Sequence, residues 1–283
     1  MLTVIFGVVG TPAVLVASVL IAQYLAARAV AAPPDLLQAR RQLIGSLGPG
    51  RAFLMLYGAG IFITTAVGLI LGEVLQRFEH PVDWAVFHWV EDASGQGWLH
   101  AMTALGRMGD PWPTRYTAIV AIVILTGVAI ARRERFWVPA GFIGGSVVVE
   151  KFDQTALAKI VDRGHPPTGL GTFPSGGCVR ILVIYGAIML VVLAYLRAGR
   201  VVRSFGWSLI ATMAFAEGYT RIYVGKHWAT DVLGGWVLGG LMLAVTVFAG
   251  RALLARERPP LPAGRDGAAE RNPPSAAAAA DVS

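Results

Sequence analysis

Residues 219–231 read Tyr-Thr-Arg-Ile-Tyr-Val-Gly-Lys-His-Trp-Ala-Thr-Asp, which sets Arg221, His227 and Asp231 in the order Arg-x5-His-x3-Asp. Together these three types suit phosphoryl transfer. A guanidinium matches the geometry and charge of phosphate oxygens. An imidazole can attack phosphorus and form a covalent phosphohistidine. A carboxylate four residues further along a helix shares its face, where it holds one ring nitrogen protonated and leaves the other free. Such a spacing arises by chance in roughly one chain in fifty of this length, so its surroundings must decide.

The elements that would position these residues are membrane helices. Only 14% of the 283 residues are charged, 55% are hydrophobic, and mean hydropathy is +0.60. Soluble domains carry about 25% charged residues. Apolar runs near the bilayer-crossing length of about 20 residues fall at about 2–27, 52–75, 114–131, 136–152, 178–196, 205–220 and 229–250. This predicts an all-α, polytopic bundle of about seven transmembrane helices. The first run has no basic residue before Arg28 and exceeds a secretory h-region, so it reads as an uncleaved helix.

Basic residues cluster at Arg28, Arg40, Arg41 and Arg51; at Arg132, Arg133 and Arg135; at Arg197, Arg200 and Arg203; and at Arg251, Arg256 and Arg258. In a seven-helix chain all four clusters share one side, which the positive-inside rule makes cytoplasmic, with the N-terminus outside. The net charge of +7 therefore reports topology rather than nucleic-acid binding. The single Cys178 excludes an internal disulfide and a cysteine-based metal site. His80, His88 and His100 lack ligand spacing, so no metal or other cofactor is expected.

Three units follow. Residues 1–50 hold the extra first helix and a cytoplasmic connection, with a short amphipathic helix after Pro33-Pro34. Residues 51–252 form the membrane domain. Residues 253–283, rich in Pro, Ala and Gly, form a cytoplasmic tail whose composition predicts disorder. Residues 77–112 carry Trp84, Phe87, Trp89, Trp98 and Trp112 among Asp, Glu and His, a pattern for short helices in the lipid interface.

This topology gathers three polar segments at the outer face: 159–166, 173–177 and 220–231. Lys159, Arg163 and Arg221 could offset phosphate charge. Ser175-Gly176-Gly177 opens a helix, so free backbone N–H groups and the Ser175 hydroxyl make a phosphate cradle. Glu217, four residues before Arg221, suits a helical ion pair with it. Arg180 either lines the site or extends to the interface.

These residues resemble the type-2 phosphatidic acid phosphatases, membrane enzymes that share a helical core with vanadium haloperoxidases. The family pattern is Lys-x6-Arg-Pro, then Pro-Ser-Gly-His, then Ser-Arg-x5-His-x3-Asp. Its third motif matches at Arg221, His227 and Asp231, with Thr220 in the serine position, and its second at Pro174, Ser175 and Gly176. The resemblance implies that His227 is the nucleophile and Asp231 its orienting carboxylate. Arg221, Ser175, Gly176, Arg163 and Lys159 would bind phosphate, without a metal. Two departures stand out. Gly177 replaces the histidine that protonates the leaving group, and His165-Pro166 stands where Arg-Pro is expected, leaving Lys159 one residue out of register. His165 is a candidate substitute acid.

The implied activity is hydrolysis of a lipid phosphate or diphosphate, such as an undecaprenyl or prenyl diphosphate, at the outer leaflet. The lost acid favours a diphosphate, whose leaving phosphate needs protonation less than an alkoxide does. A lipid phosphotransferase and a catalytically impaired lipid-phosphate binder are the alternatives. Only Lys151, Lys159 and Lys226 among the basic residues are lysine, which points to a GC-rich bacterial genome and a bacterial plasma membrane.

Overall fold

The computed structural model describes residues 33–93 and 98–254, with Val16 alone before them. The expected first helix and nearly all of the tail lie outside the described residues. The described residues form helices and their connections, with no strand among them.

Helix α1, Pro34–Gln76, starts on prolines, whose fixed φ and missing N–H suit a first turn. It breaks at Gly48 (φ 76°, ψ 164°), just before Pro49, so a short segment joins the spanning part at an angle. That segment is helical, where a short helix was expected after Pro33-Pro34. Arg40 pins it, its guanidinium 5.0 Å from the Phe248 ring centroid and donating to the Phe248 carbonyl at 3.4 Å. Two short helices follow, α2 Trp84–Ala93 and α3 Leu99–Leu105. Then come α4 Pro111–Ala131, α5 at 137–161 with a π-turn at Ala140–Gly144, and α6 Gly176–Tyr195 with a π-turn at Ile181–Tyr185. Arg200–Tyr223 is α7 and Ala229–Leu254 is α8.

Among the described residues, four helices are long and apolar enough to cross a membrane: α1, α4, α6 and α8. The other two expected spans, 136–152 and 205–220, fall within α5 and α7. These carry buried polar side chains: Ser146, Glu150 and Asp153 on α5, Ser208, Thr212 and Glu217 on α7. Such groups are tolerated at membrane depth only when they face the bundle interior. The same residues explain a misplaced boundary. Asp153 reads as the start of an outer loop, yet α5 runs on to Val161 because Asp153 turns inward onto Thr65.

Small residues let the helices approach closely. A Cβ on Gly68 would lie 3.0 Å from Leu157, and one on Gly72 would lie 2.6 Å from Val161 and 3.0 Å from Phe173. Leu75, Leu157, Val161, Phe173 and Leu238 form one buried cluster there. It supports Phe173, and hence the Pro174-Ser175 turn beside the polar residues.

Candidate active site

The chain between α7 and α8 turns at Gly225 (φ 63°) and wraps the Arg221 carbonyl, which accepts from Lys226 N at 2.9 Å and His227 N at 3.4 Å. This returns His227, only 8% exposed, to the level of Arg221. Asp231 lies in the first turn of α8. Its Oδ2 accepts from the backbone N–H of Trp228 at 3.1 Å, closing the helix start as a capping carboxylate does. The same Oδ2 stands 3.6 Å from His227 Nδ1. That is longer than a hydrogen bond, and such contacts tighten around a bound substrate. Nδ1 faces the carboxylate, and Nε2 is the ring nitrogen turned away from it.

Burial lowers the pKa of His227, aided by the Arg221 and Lys226 charges, while Asp231 pulls it upward. The imidazole is therefore neutral at neutral pH. Gly171 packs against it with φ +91°. A Cβ there would fall 2.0 Å from the Lys226 carbonyl oxygen and 2.9 Å from His227 Nδ1. Gly171→Ala should displace the ring and cut kcat by about 10²-fold, the usual consequence of misplacing a reacting group by an ångström. A kcat for Gly171→Ala equal to the parent's would contradict that packing.

Arg163 departs from its expected role. Its side chain is fully buried and faces carboxylates: it pairs with Asp83, donates to Asp231 Oδ1 at 3.2 Å and to Thr230 Oγ1 at 2.6 Å, and approaches Glu79 at 3.8 Å. Asp83 in turn accepts from Thr230 N at 2.9 Å and from its hydroxyl at 2.6 Å, anchoring the first turn of α8. Arg163 thus holds the orienting carboxylate rather than an outer anion. Sequence reasoning passed over Asp83, which belongs to no motif.

On the other flank, Arg221 is 4% exposed and binds Glu217 Oε1 through Nε at 2.6 Å and Asp110 Oδ1 through a terminal nitrogen at 2.8 Å. Lys226 Nζ lies 3.3 Å from the same Asp110 oxygen. Partial desolvation works against ionisation of Asp110, but Arg221 and Lys226 outweigh it and lower its pKa. Glu217 is fully buried, and its second oxygen accepts from Gly109 N at 3.2 Å. The i to i+4 pair of Glu217 and Arg221 is as expected.

Glu217 also explains Gly177. A Cβ on Gly177 would lie 2.3 Å from Glu217 Oε1 and 3.1 Å from Arg221 Nε. The carboxylate fills the space a side chain at 177 would need.

Ser175 caps α6 from an extended conformation after a cis Phe173–Pro174 bond, and its N–H donates to the Asp231 carbonyl at 3.0 Å. Its hydroxyl is buried without a hydrogen-bond partner. Arg180 lines this turn rather than the interface: it donates to the Gly109 carbonyl at 2.6 Å and pairs with Glu150 at 3.1 Å. A Cβ on Gly176 would meet it at 3.0 Å. Ser175, Gly176, Arg221, His227 and Asp231 thus come together.

Lys159 and His165 do not join them. Lys159 is exposed on α5, and His165 is exposed with Nδ1 3.1 Å from the Pro166 carbonyl. The aromatic segment divides. Trp84 and Phe87 pack on buried Trp228 at centroid distances of 5.3 and 6.1 Å, whereas Trp89, Trp98 and Trp112 are exposed.

The family profile of the PAP2 superfamily matches residues 53–253. The chain belongs to the PAP2 superfamily. No curated protein matches it. Among solved structures, the fold is similar to the crystal structure of the first transmembrane PAP2 type phosphatidylglycerolphosphate phosphatase from Bacillus subtilis. The TM-score is 0.55 at 19% identity, covering 66% of this chain and 93% of that one. As a PAP2 member with apolar spanning helices, it is a multi-pass membrane protein of the phosphatase class.

Proposed function

We propose that this PAP2 protein hydrolyses a lipid phosphate or diphosphate at the outer leaflet of a bacterial plasma membrane, through a phosphohistidine on His227. Residues 51–252 are the catalytic unit. One arrangement carries the reading: a buried, neutral imidazole faces a carboxylate that a buried arginine holds, beside an unpartnered serine hydroxyl.

Arg221, Lys226 and Arg180 supply positive charge to the phosphoryl group. The Ser175 hydroxyl and the N–H groups opening α6 donate to its oxygens. His227 Nε2 attacks phosphorus as the leaving oxygen departs with its bonding pair. Asp231 stabilises the charge gained by the ring, and water then cleaves the P–N bond. Arg163 positions Asp231. Because Gly177 offers no acid, a diphosphate is the favoured substrate.

Purified protein should release phosphate from undecaprenyl or prenyl diphosphate faster than from phosphatidic acid. Equal rates would remove the argument from Gly177. The fit of Glu217 into the space at Gly177 favours a second reading, a lipid-phosphate binder without turnover. Retained lipid binding with no release from any of these lipids would select it.

The pH profile offers a further check. Only neutral His227 attacks, and its pKa is lowered from the ordinary value of about 6.5. The acid limb of kcat/KM should therefore lie below pH 6.5. Asp231→Asn removes an interaction that raises the pKa, so its limb should move lower still. A limb above 6.5 in the parent would contradict a buried, neutral nucleophile.

A further inference from the structure

At the end of the bundle opposite His227 lies a cavity of about 1030 Å³. Four separate stretches of chain send arginines to it: Arg40 from α1, Arg132, Arg133 and Arg135 after α4, Arg197 and Arg203 around the α6–α7 turn, and Arg251 from α8. Among the described residues of its wall, Glu134 is the one acidic side chain.

The positive-inside rule accounts for arginines at this face but not for their convergence on one hollow. Three have structural work, since Arg132, Arg135 and Arg40 donate to the Tyr195, Leu253 and Phe248 carbonyls near helix ends. Arg133, Arg197, Arg203 and Arg251 have no ion pair among the described residues.

Two of these occupy a backbone conformation that disfavours them. Arg133 (φ 56°) and Arg197 (φ 50°) end α4 and α6 in the left-handed region, where the bonds Glu134 N to Ala129 O (2.8 Å) and Ala198 N to Leu193 O (3.0 Å) close Schellman turns. Glycine is the usual residue there. Arginine is held at both positions against its own backbone preference. A further observation is independent of charge: Tyr195, which also lines the cavity, has a buried hydroxyl with no hydrogen-bond partner.

We propose that this cavity binds the phosphate headgroup of an anionic lipid of the inner leaflet. Guanidinium groups match phosphate oxygens bidentately, and the Tyr195 hydroxyl is a further donor. A lipid suits the site better than a soluble phosphate because Leu190, Leu193, Val247, Leu253 and Trp207 share its lining with the arginines. Basic pockets between membrane helices on the cytoplasmic side recognise headgroups in this way.

The test uses the full chain in nanodiscs of phosphatidylcholine, with or without phosphatidylglycerol, and compares it with Arg133→Gly/Arg197→Gly. The parent should melt higher when phosphatidylglycerol is present, and native mass spectrometry should show the lipid retained. The double variant should lose most of that rise and retain the lipid about tenfold less well. In phosphatidylcholine alone it should melt no lower than the parent, because glycine relieves both left-handed residues. Lipid bound at the catalytic site is common to both proteins and cancels.

An equal rise in the variant would overturn the proposal, as would a lower melting point in phosphatidylcholine alone, which would make the two arginines structural. Pyrophosphate added to phosphatidylcholine discs is the control for a soluble source. A pyrophosphate-induced rise as large as the lipid's, and lost in the variant, would overturn the lipid assignment.

Discussion

Phosphate release by His227→Ala is expected to fall by on the order of 10⁴-fold or more, as when the nucleophile of a covalent mechanism is removed. The folded protein should persist, because His227 Nδ1 has no hydrogen-bond partner to lose and the Asp231 carboxylate keeps Arg163 and Trp228 N. The deciding measurement is a rapid quench with lipid labelled at the transferred phosphate. The parent should yield an acid-labile, base-stable labelled protein, and His227→Ala none. Turnover surviving in His227→Ala would mean that water attacks phosphorus directly, with Arg221 and Ser175 serving only to bind.

Restoring the family's histidine alone should fail. In Gly177→His the new Cβ falls 2.3 Å from Glu217 Oε1, which Arg221 holds while Gly109 N holds the other carboxylate oxygen. Overpacking of this kind costs about 1–3 kcal/mol, so the single variant should melt lower and gain no activity. Gly177→His/Glu217→Ala vacates the space and places an imidazole beside Arg221. Hydrolysis of phosphatidic acid, which depends most on a leaving-group proton, should then rise by about 10²-fold relative to Glu217→Ala. Diphosphate hydrolysis should change far less. A gain in Gly177→His by itself, at an unchanged melting temperature, would show that Glu217 is not the obstacle.

Much of the site was legible because its signals are local. The Arg221–His227–Asp231 spacing spans one turn between helices, although His227 precedes α8 and it is the turn, rather than a shared helical face, that sets it beside Asp231. The Ser175 turn announces itself through Pro174 and two glycines before an apolar run. Arg163 was assigned to phosphate because only its type and its nearness to Pro166 could be read. Its true neighbour Asp83 lies 80 residues away in sequence, in a segment where several carboxylates look alike. Lys159 shows the same limit from the other side. Its distance from Arg163 was visible, but the face of α5 that it occupies was not.

The sequence by itself determined an all-helical membrane chain and the residues proposed as the nucleophile pair, since hydropathy and short-range spacing depend only on neighbouring residues. Tertiary structure decided which charges face one another. Arg163 turned to Asp83 and Asp231, Glu217 reached Gly109 across 108 residues to occupy the space at Gly177, and arginines from four stretches met around one cavity. The physical reason is that a buried charge takes whatever partner the packed helices bring within hydrogen-bond reach. That choice depends on how distant segments pack and not on the spacing within any one of them.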